Sequence, residues 1–140
     1  MREILFRGKS NWEYRNIKKG DWLYGMTIAP HCYSDEEITS YYIGGGNKTI
    51  DAKTLGEYTG FTDMNGNKIF EGDILKFADR LGYVFWHAHL GCWDTAFIKY
   101  IDRSRDRVDM SPCRWKYVAE VVGNIHDNPE LLKGVESDAR

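Results

Sequence analysis

Between Thr59 and Phe77 the chain reads TGFTDMNGNKIFEGDILKF, and VVGNIHDNPELL follows at Val121–Leu132. Both stretches crowd turn-specifying residues between apolar runs only a few residues long, a pattern that suits short strands joined by tight turns. In Asp63–Asn67 the Asn65-Gly66 pair favours positive φ, which most residues resist, and β-compatible runs flank it. A hairpin turn is expected there. Lys68, Ile69 and Phe70 form the returning strand. Glu71-Gly72-Asp73 then breaks it: Gly72 supplies an unusual φ, and the short Asp73 carboxylate accepts a backbone N–H in a tight turn. Ile74–Phe77 resumes as a strand. Such a strand–turn–strand corner carries the chain from one sheet to the next in small SH3-like barrels. Near the C-terminus Asn128 suits an N-cap, Pro129 the first helical position and Glu130 the anion-favouring first turn. About one helical turn is expected to follow, with Leu131 and Leu132 docking on the barrel.

These blocks resemble the YopX-like family of small proteins encoded by bacteriophages and prophages, whose members carry a TG…D.NG…I.EGD block and a VIGNI..NPELL ending. The resemblance runs from about Leu55 to Leu132, with a fainter echo in REILFRGK and in Trp22–Gly25. Its motif positions are Thr59, Gly60, Asp63, Asn65, Gly66, Glu71, Gly72, Asp73, Gly123, Asn124, Asn128 and Pro129. The resemblance implies a phage or prophage origin. It supplies no active site, and the motif residues carry over as structural markers.

With 140 residues the chain builds one ordinary domain or two very small ones. Aromatic residues make up 14%, which favours β structure over a helical bundle. A formal charge of −2 provides no global attraction to nucleic acid or anionic lipid. No apolar run reaches the length of a membrane span, and the N-terminus lacks a signal-peptide core, so no membrane partner is expected. Cys32, Cys92 and Cys113 are odd in number and irregularly spaced, which reads as reduced thiols in a bacterial host cytoplasm.

Strands are expected at Ile4–Phe6 and at Asp21–Ile28, where Trp22, Tyr24, Met26 and Ile28 alternate with their neighbours. Gly8–Gly20, polar apart from Trp12, Tyr14 and Ile17, reads as a long loop or an irregular hairpin arm, and Pro30–Glu36 as a turn region. Glu37–Ile43 alternates again and stops at the triple glycine, and Asp51 caps a single helical turn. The expected organisation is mainly β: an N-terminal β subdomain at 1–57, packed on an SH3-like barrel at 58–133, then a flexible tail at 134–140. Strands of the barrel are Ile69–Phe70, Ile74–Phe77, Gly82–His89, Trp93–Ile101 and Trp115–Val122, with Asp102–Asp109 as a hairpin tip.

Four constellations bear on chemistry. Glu71 and Asp73 form a carboxylate pair, but no nucleophile or partner accompanies them, so a structural corner is the favoured reading. His87 and His89 share a strand face near Cys92, yet the paired ligand spacing of a zinc site is missing. In that run Val84, Trp86, Ala88 and Leu90 are expected to face the core. Gly44-Gly45-Gly46-Asn47-Lys48-Thr49 echoes a phosphate-binding loop, but Asn47 intervenes before Lys48 and no helical pattern follows. A glycine turn between strands is expected. Lys99, Arg103, Arg105, Arg107, Arg114 and Lys116, with Trp93, Tyr100, Trp115 and Tyr117, form the one basic and aromatic cluster suited to nucleic acid. Interspersed Asp102, Asp106 and Asp109 repel phosphate and weaken that case.

No enzyme, cofactor or metal centre is therefore expected. The leading function is a non-enzymatic binding module that engages a host or phage protein through an aromatic β surface, with self-association as a dimer. The alternative is a nucleic-acid-associated protein using the hairpin around Lys99–Lys116. A hydrolase rests on no residue set.

Overall fold

Short antiparallel strands dominate the chain, in keeping with its aromatic content and crowded turn residues. The computed structural model describes residues 2–78, 80–100 and 111–134. Among them the fold is mainly β, with three antiparallel sheets, one short helix and a few 3-10 turns. No helix among the described residues is long and apolar enough to cross a membrane. The chain divides into two compact units, Met1–Tyr58 and Thr59–Arg140.

In the first unit β1 (Phe6–Lys9) pairs with β2 (Trp22–Gly25), placing Arg7 opposite Tyr24. The pairing is the expected one, although β1 lies a few residues later than Ile4–Phe6 and β2 ends at Gly25, short of the expected Ile28. A second sheet has the order β3-β4-β5, from Ile28–Ser34, Glu37–Ile43 and Thr49–Asp51. Here Pro30–Glu36, expected as a turn region, is mostly strand. Pro30 is tolerated because β3 lies at a sheet edge and its register slips between Pro30 and Cys32. The turn itself is only Asp35-Glu36, both at positive φ (49° and 68°), the backbone of a two-residue hairpin. Gly44, Gly45 and Gly46 all have positive φ and end β4 as anticipated. Asp51 caps the 3-10 turn Ala52–Thr54 by accepting the Lys53 N–H at 3.1 Å. Ile43, Ile50 and Tyr58 are buried.

The boundary between units falls inside β6 (Gly56–Thr62), whose first residues pair with β1. In the second unit the later part of β6 neighbours β7 (Lys68–Phe70). A four-stranded sheet follows in the order β10-β9-β8-β11: β8 Asp73–Phe77, β9 Arg80–His87, β10 Cys92–Tyr100 and β11 Ala119–Asn124. Its core gathers Ile69, Leu75, Phe77, Val84, Trp93, Trp115 and Ala119. No sheet closes on itself among the described residues: β10 and β11 are the outer strands, and β6 and β7 pair in a different ladder. The expected barrel is thus an open sheet in these residues.

Two further expectations are corrected. Trp115–Val118, expected as strand, is a single helical turn (α1), and the strand begins only at Ala119. Pro112 starts the preceding 3-10 turn, as its fixed φ favours, and the turn carries Trp115 into the core at 0% exposure. On β9 the core-facing alternation holds at Val84 but fails beyond it. Trp86, still on the strand, is 44% exposed with its ring edge-on to Trp93, and Leu90 is 66% exposed because the strand ends at His87 and Gly91, at φ 67°, turns the chain away.

Candidate functional site

The family-like motif residues meet in a polar clasp inside the second unit. Asp63 is 2% exposed, and its carboxylate accepts four hydrogen bonds: from the backbone N–H of Asn65 (2.9 Å), Asn67 (2.8 Å) and Val121 (2.9 Å), and from the Asn67 side-chain amide (3.3 Å). Burial alone pushes this carboxyl upward, but the donors, led by Val121 N–H and Asn67 N–H, hold it below the usual carboxylate range. Only Gly66 of the Asn65-Gly66 pair adopts positive φ, at 80°. The turn is therefore a three-residue loop closed by an αL glycine rather than a two-residue turn with positive φ throughout. Thr59 Oγ1 donates to the Ile69 carbonyl at 2.8 Å, and Gly60 sits at φ 86°.

Gly72 and Asp73 build the second half of the clasp. Asp73 is 2% exposed and accepts the Phe70 N–H at 2.7 Å, the bond its sequence position suggested. Gly72, at φ 90°, donates its N–H to the Val84 carbonyl and accepts the Ile125 N–H on its own carbonyl. The VVGNIHDNP segment closes against it, with Asn124 opposite Asp73 on β11. Asn124 Oδ1 accepts the N–H groups of His126 (3.0 Å) and Asp127 (2.9 Å), and Asn128 Oδ1 accepts the Asn124 N–H (3.1 Å). Gly123 leaves room for that Asn128 side chain, which a Cβ would strike. Pro129 begins a 3-10 helix reaching Gly134, longer than the single turn expected. Among the described residues no group of three potential metal ligands assembles. These carboxylates and amides hold backbone, and Glu71 is half-buried beside them.

The described members of the basic and aromatic cluster are divided between surface and core. Arg114 and Lys116 are exposed beside Tyr117, at 5.8 and 4.9 Å from its ring. Trp115 and Trp93, expected to share that surface, lie in the core instead, 0% and 7% exposed. Lys99 lies on β10. Arg103, Arg105 and Arg107, with the expected tip Asp102–Asp109, lie outside the described residues.

A concave site that sequence reasoning missed lies in the first unit. A groove of about 440 Å³ is lined by Asn11, Trp12, His31, Tyr42, Asn47 and Thr49. A neighbour of about 300 Å³, lined by Tyr14, Arg15, Lys48 and the glycine turn, shares Asn47 with it. The Thr49 hydroxyl donates to Asn11 Oδ1 at 2.6 Å, and Ser10 Oγ donates to the Trp12 carbonyl at 2.6 Å, so the groove wall is fixed. His31 Nδ1 is 2.8 Å from Ser40 Oγ, and its ring meets Tyr42 edge-on at 4.5 Å. These residues come from two loops and three strands, so no local spacing announces them.

The solved structure of protein EF1440 from Enterococcus faecalis is similar, with a TM-score of 0.55 at 21% identity over 94% of this chain and 99% of that one. At that identity the likeness shows a shared fold. No curated protein matches the chain by sequence. The sequence profile of the family described as YopX protein matches residues 5–133, which spans the clasp and the groove alike, and the chain belongs to that YopX family.

Proposed function

We propose that the chain is a non-enzymatic binding module, an accessory protein of phage or prophage origin that engages a host or phage protein. One observation carries this reading: large apolar side chains stay exposed, most of them in the first unit. Met26 is 70%, Tyr33 63%, Tyr24 53% and Ile4 52% exposed. Tyrosine and methionine are enriched in protein interfaces, where they bring contact area without charge. The side chains of Thr59, Asp63, Asp73, Asn124 and Asn128 support the same view, since they hydrogen-bond backbone groups of the clasp. Self-association is the accompanying partner. Strand β3 is a sheet edge with six of seven residues exposed, and an exposed edge recruits another strand unless it is blunted.

The test compares capture of host-cell proteins by the tagged chain with capture by a Tyr24→Ala/Tyr33→Ala variant of unchanged melting temperature. A partner identified by mass spectrometry, retained by the first and lost by the second, is the expected result. Turnover of ester, phosphodiester or peptide substrates by the purified chain would overturn the non-enzymatic reading.

A further inference from the structure

The two grooves of the first unit differ in kind from the exposed apolar side chains, and none of Tyr24, Met26 and Tyr33 lines them. The larger groove sets two solvent-facing rings, Trp12 (40% exposed) and Tyr42 (36%), among the amides of Asn11 and Asn47 and the imidazole of His31. Rings left this exposed are not spent on the core, and a flat apolar face beside amide donors and acceptors suits a planar heteroaromatic ligand. The smaller groove adds Tyr14, whose ring lies 5.2 Å from that of Trp12, and two cations, Arg15 and Lys48. Neither cation forms an ion pair with a carboxylate among the described residues, and no carboxylate lines either groove. A cationic end without acidic neighbours suits an anion. The two volumes lie within the range of about 300–1,000 Å³ typical of small-ligand sites; both have Asn47 in their walls, and the Trp12–Tyr14 ring contact links one wall to the other. Gly45 and Gly46, both at positive φ, bring no side chain to the rim, and a Cβ on either would meet nothing within 4 Å.

We infer that these grooves form a nucleotide site, with the base held beside Trp12 and Tyr42 and the phosphate drawn to Arg15 and Lys48. The glycine-rich GGGNKT segment then contributes through Asn47 and Lys48 at the groove wall, without the helix that a phosphate-binding loop requires. The shared chemistry is a base with its adjoining phosphate, and it is available both from a free nucleotide and from a single strand.

Isothermal titration of the full chain with dTMP and with thymidine, and fluorescence anisotropy with a labelled short oligothymidylate, test the site and its source. Binding of dTMP assigns a free nucleotide; binding of the oligomer alone assigns a strand. In either case Trp12→Ala and Tyr42→Ala are expected to weaken binding by about tenfold or more at unchanged melting temperature, as loss of a stacking ring does, with Trp12→Phe retaining most of it. Lys48→Ala is expected to weaken binding and flatten its salt dependence. The inference is overturned if the folded chain binds neither dTMP nor the oligomer, if the three alanine variants bind as the parent does, or if thymidine binds measurably and as tightly as dTMP.

Discussion

At the scale of single residues, Asp63 is the least replaceable polar group of the clasp. Its carboxylate is buried yet satisfied by donors from three backbone positions and one amide. Replacing it by Ala strands those N–H groups, each at a cost of about 1–3 kcal/mol, so a loss of roughly 3 kcal/mol or more is expected from chemical denaturation. Asp63→Asn keeps one acceptor and the shape, and a smaller loss is expected. The sign of its pH dependence follows from the lowered carboxyl. Because the folded value lies below the unfolded one, the stabilisation is fully present above the unfolded value of about 3.9 and fades as pH falls toward the folded value. Denaturation midpoints of parent and Asp63→Asn should therefore differ most near neutrality and converge in acid. A gap that stays constant to low pH would show that the charge of Asp63 is not what the clasp recognises.

At the scale of elements, two turns decide how strands leave and re-enter the sheets. Asp73→Ala removes the acceptor of the Phe70 N–H and is expected to cost about 1 kcal/mol or more, as loss of a capping carboxylate does. Gly72→Val is expected to cost more, since Gly72 sits at φ 90°, a backbone conformation that a β-branched residue resists. Thermal melts that rank the two variants the other way would remove the positive-φ account of the corner. Helical turn α1 offers a third element-scale expectation. Trp115, fully buried and edge-on to Phe61 at 5.6 Å, anchors it in the core, and Trp115→Ala should cost about 3–5 kcal/mol by cavity formation. Arg114→Ala on the same turn is exposed and should leave the midpoint nearly unchanged.

At the scale of the whole molecule, the open question is what covers its exposed apolar side chains and sheet edges. Twelve large apolar residues are exposed among the described ones, seven of them before residue 59. Two-fold pairing is the commonest assembly of soluble chains, and a dimer is the expected state. Light scattering over a concentration series checks it. A mass held at 16.3 kDa at the highest concentrations would exclude self-association and leave the surface to a foreign partner. Pro30 and the register slips of β3 bear on the route, since they blunt only part of that edge. If dimerisation occurs and survives Tyr33→Ala, the edge rather than the aromatic side chain holds it.

The sequence alone determined the mainly β character, the Asp63–Gly66 and Gly72–Asp73 turns, the Asp51-capped turn and the YopX membership. The turns are written in residues close together in the chain, where glycine φ preference and short-range side-chain capping act, and the family membership rests on such local blocks taken together. Tertiary structure decided which apolar residues are core: Trp115 is buried from a helical turn that strand periodicity concealed, while Leu90 is exposed because the strand stops before reaching it. It also decided that Val121 completes the Asp63 cradle from 58 residues away, and that Trp12, His31, Tyr42 and Asn47 line one groove. Those residues come together only through strand pairing and loop closure, which no local pattern encodes.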